Sequence, residues 1–382
     1  MPADYDFGLS AKEEERAARL HSESIVIDLL FQGPCGSEDF PAELTEAALE
    51  RFRQTSDPLG SVVFAMNQTP RAAVAGQLPA FREAWNASGV TAGNRQVELA
   101  TLAWFSELFG VAQTQFDGLD WLHKATSAEH IRQAKARGEH AGFMSTQLTY
   151  GPFPDLSVLR SGYELGLRIV QLTYNSLSSV GAGCTERTDA GLSRFGADAV
   201  SLMNELGVIV DTGHCGRQTT LDACELSAEP VIASHTMAQG LHAHARGKSD
   251  EELQAIAATG GVIGIVAVPH FLRSAPGASI EDMLDHIDYI TTLVGAEHVA
   301  IGTDWPMSVP DALMEQAFPA AVSSIGFRPE DRADSLDNLV GFASYRDFPN
   351  ITRGLVARRY SDDDIVGILG GNALRVFERV CG

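Results

Sequence analysis

Residues 207–216 read GVIVDTGHCG, 230–237 PVIASHTM, 260–268 GGVIGIVAV and 298–305 HVAIGTDW. Each is a short apolar run bounded by turn or polar residues, as expected of strands buried on both faces. Amphipathic stretches separate them. One of these is Ser249–Ala258, whose SDEEL start is a capping-box pattern. Another is Ser279–Leu293, also capped. Working back toward the N-terminus, four more runs emerge: Ile25–Leu30 (IVIDLL), Gly60–Met66 (GSVVFAM), His140–Thr146 (HAGFMST) and Leu167–Thr173 (LRIVQLT). Helical patterns over Asp155–Leu165 and Asp189–Leu206 fall between the later ones. Eight strands alternating with helices predict a (β/α)8 TIM barrel. The alternative is an open doubly wound sheet, which the lack of a Gly-rich dinucleotide fingerprint disfavours.

The 382 residues suit one such barrel spanning 1–382. Residues 67–139 show no convincing strand. Val97–Phe109 and Trp121–Ala136 read as helical, so the segment is expected to be a mainly helical insertion over the barrel mouth or at a subunit contact. The tail, 361–382, predicts two short helices packed on the barrel and broken at Gly370–Gly371.

Apolar residues make up 45% and charged residues 20%, a globular composition that excludes disorder. Lys and Arg total 28 against 50 Asp and Glu, a net charge of −22. Such a chain repels phosphate backbones and anionic membrane surfaces, so neither nucleic acid nor a membrane is expected as a partner. No apolar run reaches the ~18 residues of a span. The polar N-terminus lacks a signal-peptide core, and a cytoplasmic location is expected. Five scattered cysteines without a CxxC pair agree with a reducing compartment.

Active sites of such barrels lie at the C-terminal ends of the strands. There the runs close on His214, on His235 and on Asp304. Two imidazoles and a carboxylate from three strands of one barrel would form a three-ligand zinc set with a fourth position open to water. The plainer alternative is that they satisfy hydrogen bonds at the rim.

VIVDTGHCG, VIASHTMAQGLHAHARGKSDEEL, GGVIGIVAVPHFL and DHIDYITTLVGAEHVAIGTDW together resemble the membrane (renal) dipeptidase family, peptidase family M19. So do DLSVLRSGYELGLRIVQLTYN and the tail SDDDIVGILGGNALRVFERV. The resemblance covers roughly residues 20–382. It implies an amidohydrolase-like barrel holding two zinc ions bridged by a glutamate, dipeptide hydrolysis, and in several members a homodimer. By this resemblance His214 and His235 match the histidines of one zinc. Asp304 matches the strand-eight aspartate that contacts the other zinc and handles protons. Arg246 matches the arginine that holds the substrate carboxylate, a task suited to its forked donors.

The likeness fails at four positions. Where the family has Asp-Gly-His-Asn-Asp, this chain reads Asp28-Leu29-Leu30-Phe31-Gln32. Leu30 cannot ligate a metal, and Gln32 is a weak neutral ligand. Counting back from Asp155 puts Gln147 in the place of the bridging glutamate. Tyr174 stands where the family has a substrate-facing histidine. A rebuilt site is expected, with one zinc ion per chain or none, acting on a small carboxylate-bearing substrate.

Three readings follow. The first is a one-ion hydrolase in which Asp304 shuttles the proton. The second is a metal-independent enzyme for an amino-acid-like or methylated-ammonium acid. In it Phe31, Tyr150, Tyr174 and Trp305 would form an aromatic pocket with Arg246. The third is a non-catalytic small-acid-binding protein or partner subunit. Cys35 and Cys215 are candidate replacement ligands or nucleophiles, although most such thiols are idle. His242 and His244 are read as loop residues shaping the pocket.

Overall fold

The computed structural model describes residues 5–99, 101–147, 156–331, 333 and 335–382, apart from the side chain of Leu102. Among these residues nine strands form one parallel sheet: β1 Ile27–Asp28, β2 Ala92–Val97, β3 Leu122–Lys124, β4 His140–Thr146, β5 Leu167–Gln171, β6 Ile209–Asp211, β7 Val231–Thr236, β8 Ile263–Ile265 and β9 Val299–Ile301. Eight of them close into a barrel. β1 pairs with β2 and, through Asp28 opposite Ile301, with β9. β2 runs beside β4 from Ala92–Ala141 to Val97–Thr146, and neighbours from β4 to β9 pair in chain order. β3 lies outside the ring. It borders His140–Gly142 of β4, before β5 joins that strand at Met144. The expected (β/α)8 barrel is therefore the fold.

Two sequence expectations need correction. Gly60–Met66 is not a strand; it lies in the helix Pro58–Val74. Asp57 caps that helix by accepting Gly60 N–H at 3.0 Å, and Pro58 opens it. Its buried positions Val62, Ala65, Thr69 and Ala72 recur at helical spacing. A seven-residue apolar run alone does not separate helix from strand. The missing stave is β2, AGNRQV, inside the segment 67–139 that was expected to be strandless. Its polar Asn94, Arg95 and Gln96 hide it from a search for apolar runs. The segment is otherwise mostly helical, with Ala80–Ser88, Leu102–Gly118 and Ala128–Arg137.

Helix signals read more reliably. Ser249 with Glu252 forms the expected capping box, and at the expected start of the next helix Asp282 accepts the Ser279 N–H at 2.8 Å. The tail runs as Asp362–Val366, a π turn over Gly367–Gly371, and Asn372–Cys381. It seals the floor of the barrel. Phe377 packs on Phe143 of β4 with ring centroids 5.0 Å apart. Asn372 Nδ2 donates to the carbonyls of Ala296 and Val299, both at 2.8 Å. A Cβ on Gly370 would stand 2.3 Å from the Ile25 carbonyl oxygen, so only glycine allows this approach. No helix among the described residues is long and apolar enough to cross a membrane.

Candidate active site

β6 and β7 deliver the two histidines as buried, neutral rings. His214 Nδ1 lies 2.7 Å from Asn175 Oδ1. Asn175 Nδ2 donates to the Ile325 carbonyl at 2.9 Å, which fixes the amide so that its oxygen faces the ring. His214 therefore donates from Nδ1 and keeps a lone pair on Nε2. His235 Nδ1 lies 2.7 Å from Ser234 Oγ. That hydroxyl gives its one proton to Asp211 Oδ2 at 2.5 Å, so His235 also donates from Nδ1. Asp211 is fixed in turn by the N–H groups of Gly213 and Ser234. Burial, then the nearby Arg246 charge, holds both imidazoles well below the usual histidine range.

Both bare Nε2 atoms point at Gln147, at the C-terminal end of β4. Gln147 Nε2 lies 3.3 Å from His214 Nε2 and 3.2 Å from His235 Nε2. The carboxamide nitrogen is within donating reach of both rings, and Gln147 also hydrogen-bonds Asp304. Tyr174 stacks on the far side of His214, with centroids 4.0 Å apart and planes inclined by 22°.

Asp304 follows β9 in a left-handed conformation, φ 59°. Its N–H is tied to the Leu30 carbonyl. Gln32 Nε2 donates to Asp304 Oδ1 at 2.8 Å. Burial raises the Asp304 carboxyl to about 6, with Arg246 and Gln32 opposing. Beneath it, Tyr345 OH accepts Gln32 N–H at 2.9 Å and bonds Thr303 Oγ1 at 2.8 Å. Thr303 Oγ1 donates to Asp28 Oδ2 at 2.5 Å. Burial likewise raises Asp28 to about 6. This chain of hydrogen bonds aims Gln32 at Asp304.

These groups face a cavity at the barrel mouth. Gln32, Gln147, Tyr174, His214, Asp304 and Trp305 line it. Its remaining walls are mainly apolar and include the helix Pro58–Val74. Gln96 and His270 also line it and were not foreseen. Gln96 sits on the unrecognised strand β2. His270, in VAVPHFL, just past β8, was legible as the polar residue nearest that strand's end.

Other expected residues lie elsewhere. Arg246 is 1% exposed and does not line the cavity. It donates to the carbonyls of Gly213 and His235, and its guanidinium lies 5.6 Å from the Phe271 ring centroid. Its Nε has no hydrogen-bond partner among the described residues. His244 accepts Arg246 N–H and contacts the Asp331 carbonyl, in keeping with a loop role, and His242 lies beside it. Leu30 is buried away from the cavity. Phe31 packs against Trp85 and Tyr345, not into the mouth. Tyr150 lies outside the described residues. Burial pushes the Cys35 thiol up and that of Cys215 to about 11, so neither is poised as a thiolate. Neither lines the mouth.

The donor set can be tested against a metal. The three terminal atoms of His214, His235 and Gln147, with spacings of 3.2 and 3.3 Å, suit neighbouring ligands of one ion with bonds of about 2.1 Å. The atom at those spacings is Gln147 Nε2, which cannot ligate; turning the carboxamide end for end would put its ligating oxygen there. A two-ion, carboxylate-rich set does not fit. Leu30 offers nothing, Gln32 is engaged with Asp304, and no three His, Cys, Asp or Glu side chains gather among the described residues. The expected triple of His214, His235 and Asp304 is thus not assembled as one ligand group.

A parallel eight-stranded barrel with histidines and an aspartate at the C-terminal ends of its strands defines a (β/α)8 barrel with its polar site at the usual face. The family model for membrane dipeptidase, peptidase family M19, matches residues 14–317, and the chain belongs to that family. An uncharacterised dipeptidase of Schizosaccharomyces pombe is 33% identical over 202 residues, 49% of this chain and 47% of that protein. The dipeptidase aclJ of Aspergillus oryzae is 30% identical over 224 residues, 58% and 47% of the two chains. The chain thus spans about half the length of these curated relatives. An amidohydrolase from Pseudomonas aeruginosa superposes with a TM-score of 0.74 at 27% identity, covering 95% of this chain and 98% of that one. A metallopeptidase from Rhodobacter sphaeroides, bound to a phosphinate mimic of the dipeptide L-Ala-D-Ala, shares the fold at TM-score 0.66 and 18% identity, over 94% and 99% of the chains.

Proposed function

We propose that this chain is a divergent dipeptidase-like hydrolase acting on a small carboxylate-bearing, amino-acid-derived substrate, with a centre for one metal ion. The observation that supports it most is the convergence of two neutral imidazole nitrogens and the Gln147 amide within 3.3 Å. His214, His235 and Gln147 would hold the ion, which would polarise a carbonyl or acidify a water. The protein does the rest. Asn175 and Ser234 fix the ring tautomers that leave both Nε2 atoms bare. Asp304, raised to about 6 by burial, accepts a proton on Oδ2 at neutral pH while Gln32 holds Oδ1. Tyr174 limits water beside His214, and the apolar walls exclude it from the mouth.

The test is elemental analysis of unchelated protein together with turnover of dipeptides and related amides. About one ion per chain, lost in His214→Ala along with activity, is the expected result. About two ions would overturn the one-ion centre. A second reading is metal-independent acid–base catalysis. It is favoured by one fact: the Gln147 carboxamide already links both imidazoles to Asp304 without an ion. No bound ion and activity that survives chelation but not Asp304→Asn would establish it.

A further inference from the structure

A second cavity adjoins the first. The two share Gln32, Val63, Met66 and Gln96 as a common wall. The second lies outside the barrel ring, between β2 and the helices Pro58–Val74 and Leu102–Gly118.

Arg95 of β2 lines it and is 8% exposed. Gly142 of β4 makes room for the arginine stem, since a Cβ there would stand 3.0 Å from Arg95 Cγ. The guanidinium lies over the Trp85 and Phe31 rings at 5.1 and 5.5 Å. Its Nη1 donates to Gln115 Oε1 at 3.3 Å, a long bond to a neutral acceptor. Its Nε has no hydrogen-bond partner among the described residues. A buried cation so weakly answered favours an incoming anion. Glu98 lines the same cavity three residues further on and is buried, with Gln96 Nε2 donating to its Oε1 at 3.2 Å. Phe81 and Leu108 supply apolar wall.

One cavity thus presents a guanidinium, a carboxylate and apolar surface. We propose that it binds the zwitterionic head group of an apolar amino acid, with the ligand's carboxylate on Arg95 and its ammonium on Glu98. Arg246 lines neither cavity, so Arg95 is the arginine that faces open space beside the mouth. The inference deepens the hydrolase reading by naming where the amino-acid portion of a substrate or product is held, and rests on it only for that role.

Calorimetry on the full chain with L-leucine, 4-methylpentanoate and 3-methylbutylamine tests it without turnover. The last two probes lack the ammonium and the carboxylate respectively. Leucine should bind, and each analogue should bind at least about tenfold more weakly, as when one charged partner is left unpaired. Arg95→Gln and Glu98→Gln should each weaken leucine by a similar factor, and His214→Ala should leave it within about twofold. Absence of leucine binding at millimolar concentration would overturn the proposal. So would binding indifferent to both variants, or binding lost in His214→Ala, which would move the ligand to the barrel mouth. Should Arg95→Gln not fold by circular dichroism, Glu98→Gln and the two analogues decide. Metal content and turnover do not enter the measurement, so it fails or succeeds separately from the hydrolase reading.

Discussion

At the scale of residues, the site turns on the charge of one side chain. Gln147 occupies the meeting point of two imidazoles with an uncharged amide. Around them, Arg246 and Lys248 contribute positive potential. An ion placed there gains no carboxylate from its immediate partners, so its hold should be weak. Gln147→Glu restores one negative ligand at nearly constant shape. It should tighten zinc binding by about tenfold or more, as read by competition with a chromophoric chelator. An unchanged affinity would show that Gln147 does not reach the ion. The histidines and Asp304 could be read from sequence because each closes an apolar run. Gln32 and Gln147 were placed by family resemblance alone. Asn175, Ser234 and Asp211, which set the tautomers, left no mark in sequence, because their roles exist only once separate strands lie side by side.

At the scale of elements, helices with sequence-encoded ends were legible and short strands were not. Ser249 and Ser279 announced their helices by local capping chemistry. β2 stayed hidden because Gln96 faces the mouth and Arg95 the second cavity, so a functional strand lost the apolar signature of a structural one. The N-terminal helix Ala11–Glu23 makes a further prediction. It is fixed to the helix Pro349–Ala357, where Arg353 grips Glu14 through bonds of 2.6 and 2.8 Å. His21 at its end is buried between Thr352 Oγ1 and the Ser88 carbonyl, and burial lowers its pKa to about 4. A histidine lowered in the folded state stabilises above its unfolded pKa of about 6.5, and that stability is lost as pH falls toward 4. Between pH 7 and 4.5, His21→Gln should therefore lose about 2 kcal/mol less stability than the parent chain. Urea denaturation at the two pH values measures this, and equal losses would remove His21 from the acid response.

At the scale of the whole molecule, barrel closure and the sealed floor are two ends of one arrangement. The C-terminal tail does more than cover apolar surface, because Asn372 donates to the Val299 carbonyl where β9 begins and adds a second donor to that of Ala296, which already accepts Val299 N–H. Asn372→Ala should cost about 1–2 kcal/mol, mainly from the desolvated Val299 acceptor left behind. Thermal and chemical unfolding should agree on the loss, and a neutral result would mean that water replaces the amide. The overall architecture was readable because alternating runs and helices fix a barrel even when one stave is misassigned. The cavities were not, since they form where chain segments far apart in sequence converge.

Ring closure through β1 and β9 also orders events in time. The stave emerging first from the ribosome pairs with one made about 270 residues later. The floor that Gly370 and Asn372 complete is translated later still. Throughout synthesis the nascent chain therefore presents an open sheet whose first stave lacks its β9 neighbour, a state prone to off-pathway association. The cylinder therefore stays unfinished until the segment carrying Gly370 and Asn372 is free to dock.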